Sequence, residues 1–260
     1  DKKCRTFSAW SHVVSLLYAQ LTHSIGLNDV CDALRHHSSK LFAIRGATPP
    51  SRNGLSHANK TREADMMEAL FWKMLTHLQH QFPHFGPAGS YSKLPRRFKK
   101  AIYSIDSSTI SLVANCMDWA KHRRRKAAAK LHLRLNLQTF LPSFAVIEEG
   151  SHHDSSRMMA LCAGLEAGEI AVFDKAYVHF KHLFSLTTEG VFWVTRAKDN
   201  MRYHVCKKRK ASGSIVRDDE ITLKTKNSKG HYPKRMRRIV ASVEVNGKAT
   251  EMVFITNNMD

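Results

Sequence analysis

The sequence has no apolar run that approaches the length of about eighteen residues needed to cross a membrane, so it predicts no membrane partner. Its five cysteines lie far apart and form no C-x-x-C pair, which excludes the usual zinc and disulfide spacings. We expect reduced thiols of a cytoplasmic protein. No signal peptide is recognisable. Because the chain begins at Asp1 and stops just after the strand-like FIT, we expect that both ends are cut.

Acidic residues are scarce. There are 41 lysines and arginines against 22 aspartates and glutamates, which gives a formal net charge of +19. Such an excess favours a polyanionic partner, and nucleic acid is the commonest one. The alternative is a basic surface that only keeps the protein soluble. Clustering of the basic residues in HRRRKAAAK, KKRK and KRMRR favours the nucleic-acid partner.

Hydrophobic periodicity divides the chain into four parts. Residues 1–85 carry apolar stripes at helical spacing and predict a small helical domain of a DNA-binding type. Residues 86–100 are rich in Gly, Pro and basic residues and predict a linker. Residues 101–198 show the order β-β-β-α-β-α-β, which predicts an α/β layer with a mixed sheet. Residues 199–260 alternate in short pieces and predict a β-rich insertion.

Three local patterns give more specific predictions. The alternation in AKLHLRLNLQ predicts a half-buried strand with its leucines on one face and His132, Arg134 and Asn136 on the other. VNGK predicts a hairpin that turns through Asn246-Gly247. Asn28 is the predicted N-cap of the second helix.

Two aspartates lie at apolar strand patterns. Asp106 interrupts IYSIDSSTIS, and Asp174 ends IAVFD directly before a helical pattern. A carboxylate in such surroundings is costly unless a cation neutralises it, and ligand sites in open α/β sheets lie where strands end. If the two strands are neighbours, the carboxylates converge and a divalent cation such as Mg²⁺ would relieve their repulsion. The alternative is that each aspartate caps a helix or pairs with an arginine.

The order of the motifs IDSSTISL, AAAKLHLRLNL, FDKAYVHF, VFWVTRAKDN and FITNN resembles that of the DDE transposases of bacterial insertion sequences. Within these, the chain resembles the insertion-sequence-four group, which has a C-terminal Y-R-E-K signature. The family's D-x-S-T, K-L-H, D-R-G-Y and F-V-x-R motifs match Asp106, Lys130-Leu131-His132, Asp174 with Tyr177, and Arg196. DKAY stands in place of D-R-G-Y. The stretch from about residue 5 to residue 80 also resembles the helical domain that precedes this catalytic domain, most clearly in SHANKTR.

The resemblance implies a ribonuclease H-like catalytic core with an N-terminal helical domain and a β-rich insertion. It implies a transposase that cleaves transposon-end DNA and transfers the strand by a metal-dependent DDE mechanism. Asp106 and Asp174 would be catalytic metal ligands for Mg²⁺, with Mn²⁺ as a substitute. The third acid, a glutamate in the Y-R-E-K helix, is expected beyond residue 260. Glu244 and Glu251 lie in strand patterns and are not taken as its replacement.

Two alternatives remain open at this point. One is that the chain is a catalytically incomplete transposase remnant that only binds DNA, and the other is that it is an unrelated ribonuclease H-like nuclease. His152-His153-Asp154 resembles the family's H-D pair, and we interpret it as a loop that caps the next helix, with metal binding as the alternative.

The expected partner is double-stranded DNA, both transposon ends and target, with a homodimer as the assembly expected in the DNA complex. The expected location is the bacterial cytoplasm, at the nucleoid. The clusters at residues 207–210 and 234–238 are candidate phosphate-contacting patches. The residues predicted to contact DNA are Arg123, Arg124, Arg125, Lys126, Lys130, His132, Lys175, Arg196 and Lys198.

Overall fold

The computed structural model describes residues 7–24, 26–83, 98–112, 121–122, 126–149 and 157–260. The chain divides into two compact units, residues 1–83 and residues 84–260. Most of the predicted linker at 86–100 lies outside the described residues. No helix among the described residues is both long enough and apolar enough to cross a membrane. Cys31, Cys162 and Cys206 are free, and burial raises the pKa of the Cys162 thiol to about 12.

The described part of the first unit is helical. Its helices are α1 (Ala9–Leu21), α2 (Leu27–His36), α3 (Ser38–Ala43), α4 (Arg52–Thr61) and α5 (Asp65–Gln81). Apolar side chains of α1 to α4 meet in one small core, to which α5 contributes no buried residue. This core contains Val14, Val30, Cys31, Leu34, Leu41, Ala47 and Leu55. Burial of these side chains against one another stabilises helices that would be marginal in isolation.

Polar side chains fix where these helices begin. Ser8 Oγ accepts the backbone N–H of Ser11 at 3.0 Å at the start of α1. The predicted N-cap of α2 at Asn28 is wrong, because the cap is Gly26 and Asn28 lies in the first turn. The Asp29 carboxylate accepts the N–H of Gly26 at 3.1 Å, and an acid is favourable at a helix N-terminus.

The second unit is built on one large sheet. Its strands are β1 (Ile102–Leu112), β2 (Lys121–His122), β3 (Lys126–Asn136), β4 (Pro142–Glu149), β5 (Ile170–Phe173), β6 (Phe192–Arg196), β7 (Tyr203–Arg209), β8 (Ile215–Leu223), β9 (Met236–Val245) and β10 (Lys248–Thr256). Its helices are α6 (Met158–Cys162), α7 (Phe180–Thr188), α8 (Lys226–His231) and a short 3-10 helix, Lys175–Tyr177.

The order of the first strands confirms the predicted fold class. The sheet runs β4-β3-β1-β5-β6, with β3 antiparallel to both β4 and β1 and with β1, β5 and β6 parallel. Three antiparallel strands followed by two parallel strands joined through helices form the mixed sheet that the order β-β-β-α-β-α-β predicts. They match the ribonuclease H-like core that the family resemblance implies. The sheet continues from β6 through β10, β9 and β8 to β7, all antiparallel.

The main core lies on one face of this sheet. Ile105, Phe173 and Trp193 from neighbouring strands are buried there with Leu161 of α6 and Leu183 of α7. Central strands covered by helices in this way are held mainly by apolar burial.

On β3 the alternation was predicted correctly, but the buried face is the polar one. His132 is 0% exposed and Arg134 is 9% exposed, whereas Leu131, Leu133 and Leu135 are only half-buried. The Arg134 guanidinium donates to the carbonyls of Leu161 and Ala163 at the end of α6, at 3.0 and 2.8 Å. A buried cation is tolerated when its donors are satisfied in this way.

The predicted hairpin between β9 and β10 is confirmed. Asn246 and Gly247 have φ values of 50° and 75°, and the flanking Val245 and Lys248 are paired. A two-residue turn of this kind needs positive φ at both positions, which Asn-Gly supplies at low cost.

A candidate catalytic site on two neighbouring parallel strands

Asp106 and Asp174 lie at the same level of two neighbouring strands. Ile105 of β1 is paired in register with Phe173, the last residue of β5. Asp106 directly follows Ile105, and Asp174 directly follows Phe173. Adjacent strands are about 4.8 Å apart. Ile105 and Phe173 point into the core, so alternation turns both aspartates to the opposite face, where both are exposed. The sheet therefore brings the two predicted acids together.

Among the described residues, neither carboxylate has the partners of a purely structural acid. Asp106 Oδ1 accepts the backbone N–H of Ser107 at 2.8 Å. Asp174 precedes the 3-10 helix, but its side chain makes no capping hydrogen bond. Among the ion pairs between described residues, neither aspartate takes part. Carboxylate oxygens in such an exposed pair suit a hard divalent cation, which prefers oxygen ligands.

A complete metal site is not formed by the described residues alone. No group of three or more His, Cys, Asp or Glu side chains that could hold a metal ion is present among them. The donor set here is two carboxylates, which fits Mg²⁺ or Mn²⁺ with water and phosphate oxygens in the other positions. The segment with His152-His153-Asp154 lies outside the described residues.

Three of the predicted DNA contacts lie beside the aspartates. Arg196 of β6 is exposed, and it follows Thr195, the register partner of Phe173. Lys175 Nζ is 3.0 Å from Asp199 Oδ2, and this hydrogen bond holds the pKa of the exposed Asp199 carboxyl below its ordinary value. Lys198 Nζ donates to the Val178 carbonyl at 3.0 Å. The site is therefore flanked by cations on the β6 side.

His132 does not lie on the surface with these cations. Its side chain is fully buried, with Nδ1 3.0 Å from the Tyr177 hydroxyl and Nε2 2.9 Å from Glu148 Oε1. In this conformation it presents no surface to a phosphate, so its predicted DNA contact is not retained. The physical reason is that β3 buries its polar face.

The remaining predicted contacts are on or near β3. Lys130 is half-buried, and its cross-strand partner on β4 is Glu148. Lys126 begins β3, and only its backbone is described. Arg123, Arg124 and Arg125 lie outside the described residues.

The basic clusters of β7 and β9 have partners that the sequence analysis missed. Asp218 and Asp219 of β8 are each 3% exposed and Glu220 is 8% exposed. Arg237 makes a bidentate pair with Asp218, at 2.9 and 2.7 Å, and Arg238 is 3.3 Å from Asp219. Part of each predicted phosphate patch is thus neutralised inside the sheet. The sequence signal for these ion pairs was the run Asp218-Asp219-Glu220, three consecutive acids within a strand pattern of a basic chain.

A known protein family matches most of the second unit. The transposase DDE domain family matches residues 97–258, and a domain of unknown function, DUF4372, matches residues 1–44. The chain is 27% identical over 161 residues to a protein of Geobacillus stearothermophilus described as a transposase for insertion sequence element IS5377. It is 27% identical over 158 residues to y4zB of Sinorhizobium fredii, also described as a transposase.

The matches differ in how much of each protein they cover. They include 60% and 58% of this chain but 41% and 44% of the two curated relatives, so the chain spans less than half of their length. Among solved structures the chain is similar to a piggyBac transposase in a synaptic complex with hairpin DNA. That similarity has a TM-score of 0.46 at 8% identity and covers 97% of this chain and 51% of the other.

Proposed function

The chain belongs to the transposase DDE domain family, and from this premise we propose that it carries two acids of a metal-dependent transposase. The reaction is cleavage of transposon-end DNA followed by transfer of the freed strand to target DNA. The observation that carries the proposal is the register of β1 and β5, which makes Asp106 and Asp174 neighbours on an exposed face. Relatives described as transposases support it over the reading as an unrelated nuclease.

The two aspartates provide the oxygen ligands. Asp106 and Asp174 would hold the divalent metal, with Mg²⁺ as the metal and Mn²⁺ as its substitute. When bound, such ions neutralise charge on the phosphate and activate the attacking oxygen. The Ser107 N–H holds one Asp106 oxygen, which orients the carboxylate. No described residue is assigned as the third acid, the glutamate of the Y-R-E-K signature that the resemblance implies.

The cations around the site are proposed to bind phosphates of double-stranded DNA, both transposon ends and target. Arg196 and Lys198 are exposed on one side, with Lys175 beside them. Lys126 and Lys130 of β3, together with Arg123, Arg124 and Arg125, are proposed to bind phosphates as well. Phosphate contacts of this kind position the duplex and give salt-dependent affinity. A homodimer in the DNA complex and a location at the nucleoid of the bacterial cytoplasm belong to the same proposal.

The test uses a protein extended past Asp260 by the codons that follow it, with transposon-end DNA and Mn²⁺ or Mg²⁺. Asp106→Asn should abolish cleavage and leave salt-sensitive DNA binding intact. Glu251→Gln on β10 is the control, because it makes the same chemical change on an exposed acid outside the site. Cleavage by Asp106→Asn at the wild-type rate would contradict the metal role. DNA binding without any cleavage by the extended wild-type protein would instead favour the DNA-binding remnant.

A further inference from the structure

A buried chain of hydrogen bonds runs beside the candidate site. Arg157 pairs with Glu148, the other Glu148 oxygen is 2.9 Å from His132 Nε2, and His132 Nδ1 is 3.0 Å from the Tyr177 hydroxyl. His132 and Tyr177 are 0% and 1% exposed, and Glu148 is 7% exposed. Polar groups buried this deeply are held firmly, because an unmade hydrogen bond there is expensive.

The chemistry of these groups sets the direction of the hydrogen bonds. Glu148 accepts on both oxygens, so His132 donates to it from Nε2–H. In the neutral imidazole, Nδ1 is then the acceptor for the Tyr177 O–H. The Arg157 guanidinium pairs with the Glu148 carboxylate. Tyr177 is thereby oriented by β3 and β4, outside its own segment.

Two members of this hydrogen-bond network are connected to the backbone next to the two aspartates. Tyr177 ends the 3-10 helix that follows Asp174, and its N–H donates to the Asp174 carbonyl at 3.1 Å. His132, which accepts from the Tyr177 hydroxyl, is the cross-strand partner of Ser107, the residue directly after Asp106. The turn that carries Asp174 is therefore connected through side chains to the strand next to Asp106.

We propose that Tyr177, through its hydrogen bond to His132, is a positioning residue that sets Asp174 relative to Asp106 for metal binding. The inference rests on the proposed function, because it assumes that the two aspartates share a metal ion. Groups that orient metal ligands without contacting the metal change metal affinity by about 10-fold to 100-fold when they are removed. Tyr177 touches neither the metal nor the DNA in this account.

The test compares Tyr177→Phe with Tyr232→Phe. Tyr232 is a matched control, because it is 1% exposed, lies in the same core and has its hydroxyl 3.1 Å from Thr187 Oγ1. In the 260-residue chain, NMR follows the broadening of the Ser107 and Lys175 amide signals as Mn²⁺ is added. Hydrogen exchange of the Tyr177 and Val178 amides reports on the turn, because these amides donate to Asp174 and Lys175.

The expected result is that Tyr177→Phe requires about 10-fold more Mn²⁺ for half-maximal broadening and that its turn amides exchange faster. Tyr232→Phe should match the wild type in both measurements. Equal effects of the two substitutions, or no effect of either, would overturn the proposal even if the protein is an active transposase. Absence of Mn²⁺ broadening at Ser107 and Lys175 in the wild type would overturn it together with the metal role. If Tyr177→Phe differs from Tyr232→Phe as expected but the extended wild-type protein cleaves no end DNA, the positioning role stands and the proposed function fails.

Discussion

Arg237 offers the most quantitative test of how this basic chain uses its charge. Its guanidinium forms two hydrogen bonds with Asp218, at 2.9 and 2.7 Å, and Asp218 is only 3% exposed. Arg237→Met would leave that carboxylate buried without its main partner. Removing one partner of a buried ion pair costs about 3–5 kcal/mol. Arg209 remains 3.9 Å from the same carboxylate, which favours the lower end, about 3 kcal/mol.

Calorimetry on the wild type and the variant measures this loss as a shift in Tm. For a unit of this size, about 3 kcal/mol corresponds to a fall of roughly 6–12 °C. Arg235→Met is the matched control, because Arg235 is 60% exposed and lies 3.5 Å from Glu220. Its loss leaves Glu220 with Lys207 and Arg209 at 3.8 and 3.7 Å, so we expect it to cost less than about 1 kcal/mol. A Tm for Arg237→Met equal to that of Arg235→Met would refute the structural assignment of the pair.

DNA binding separates the two interpretations of the same arginine. If Arg237 were a phosphate contact, its loss would reduce the slope of log affinity against log salt by about 0.9 and would leave Tm unchanged. The buried pair predicts the opposite, a lower Tm with an unchanged slope when both proteins are compared in the folded state.

Two further predictions concern titrating groups. Burial lowers the pKa of His182 below its ordinary value of 6.5, so protonation favours the unfolded chain and the free energy of unfolding should fall as pH drops below about 6.5. His182→Gln should flatten that fall in Tm, whereas His204→Gln, on an exposed residue, should leave it unchanged. Lys175→Met should raise the pKa of Asp199 toward its ordinary value, because the Lys175 hydrogen bond lowers it. Carbon-13 NMR titration of the Asp199 carboxyl checks this, and an unmoved pKa would contradict it.

The parts of the site that follow local rules were predictable from sequence. The acid after the apolar pattern IAVF predicted that Asp174 lies at a strand end. Convergence of Asp106 and Asp174 was predicted on the condition that their strands are neighbours, and the structure meets this condition because β1 pairs with β5. Their register could not be predicted, because it depends on how Ile105 and Phe173 pack in the shared core.

The parts that depend on tertiary partners were not predictable. Alternation in β3 is the same whichever face is buried, and the core side was decided by acceptors from elsewhere in the chain. Glu148 accepts from His132, and the carbonyls at the end of α6 accept from Arg134. Likewise, the cluster at 234–238 has the composition of a phosphate patch, but its pairing with β8 puts Asp218 and Asp219 beside its arginines.

The proposed metal site requires that Asp106 and Asp174 bind one divalent ion between them. A crystal structure of the chain grown with Mn²⁺, in which anomalous scattering locates the metal, tests this requirement. We expect a peak with one oxygen of each carboxylate at about 2.1 Å. A peak bound elsewhere, or two carboxylates turned away from each other toward arginines, would contradict it.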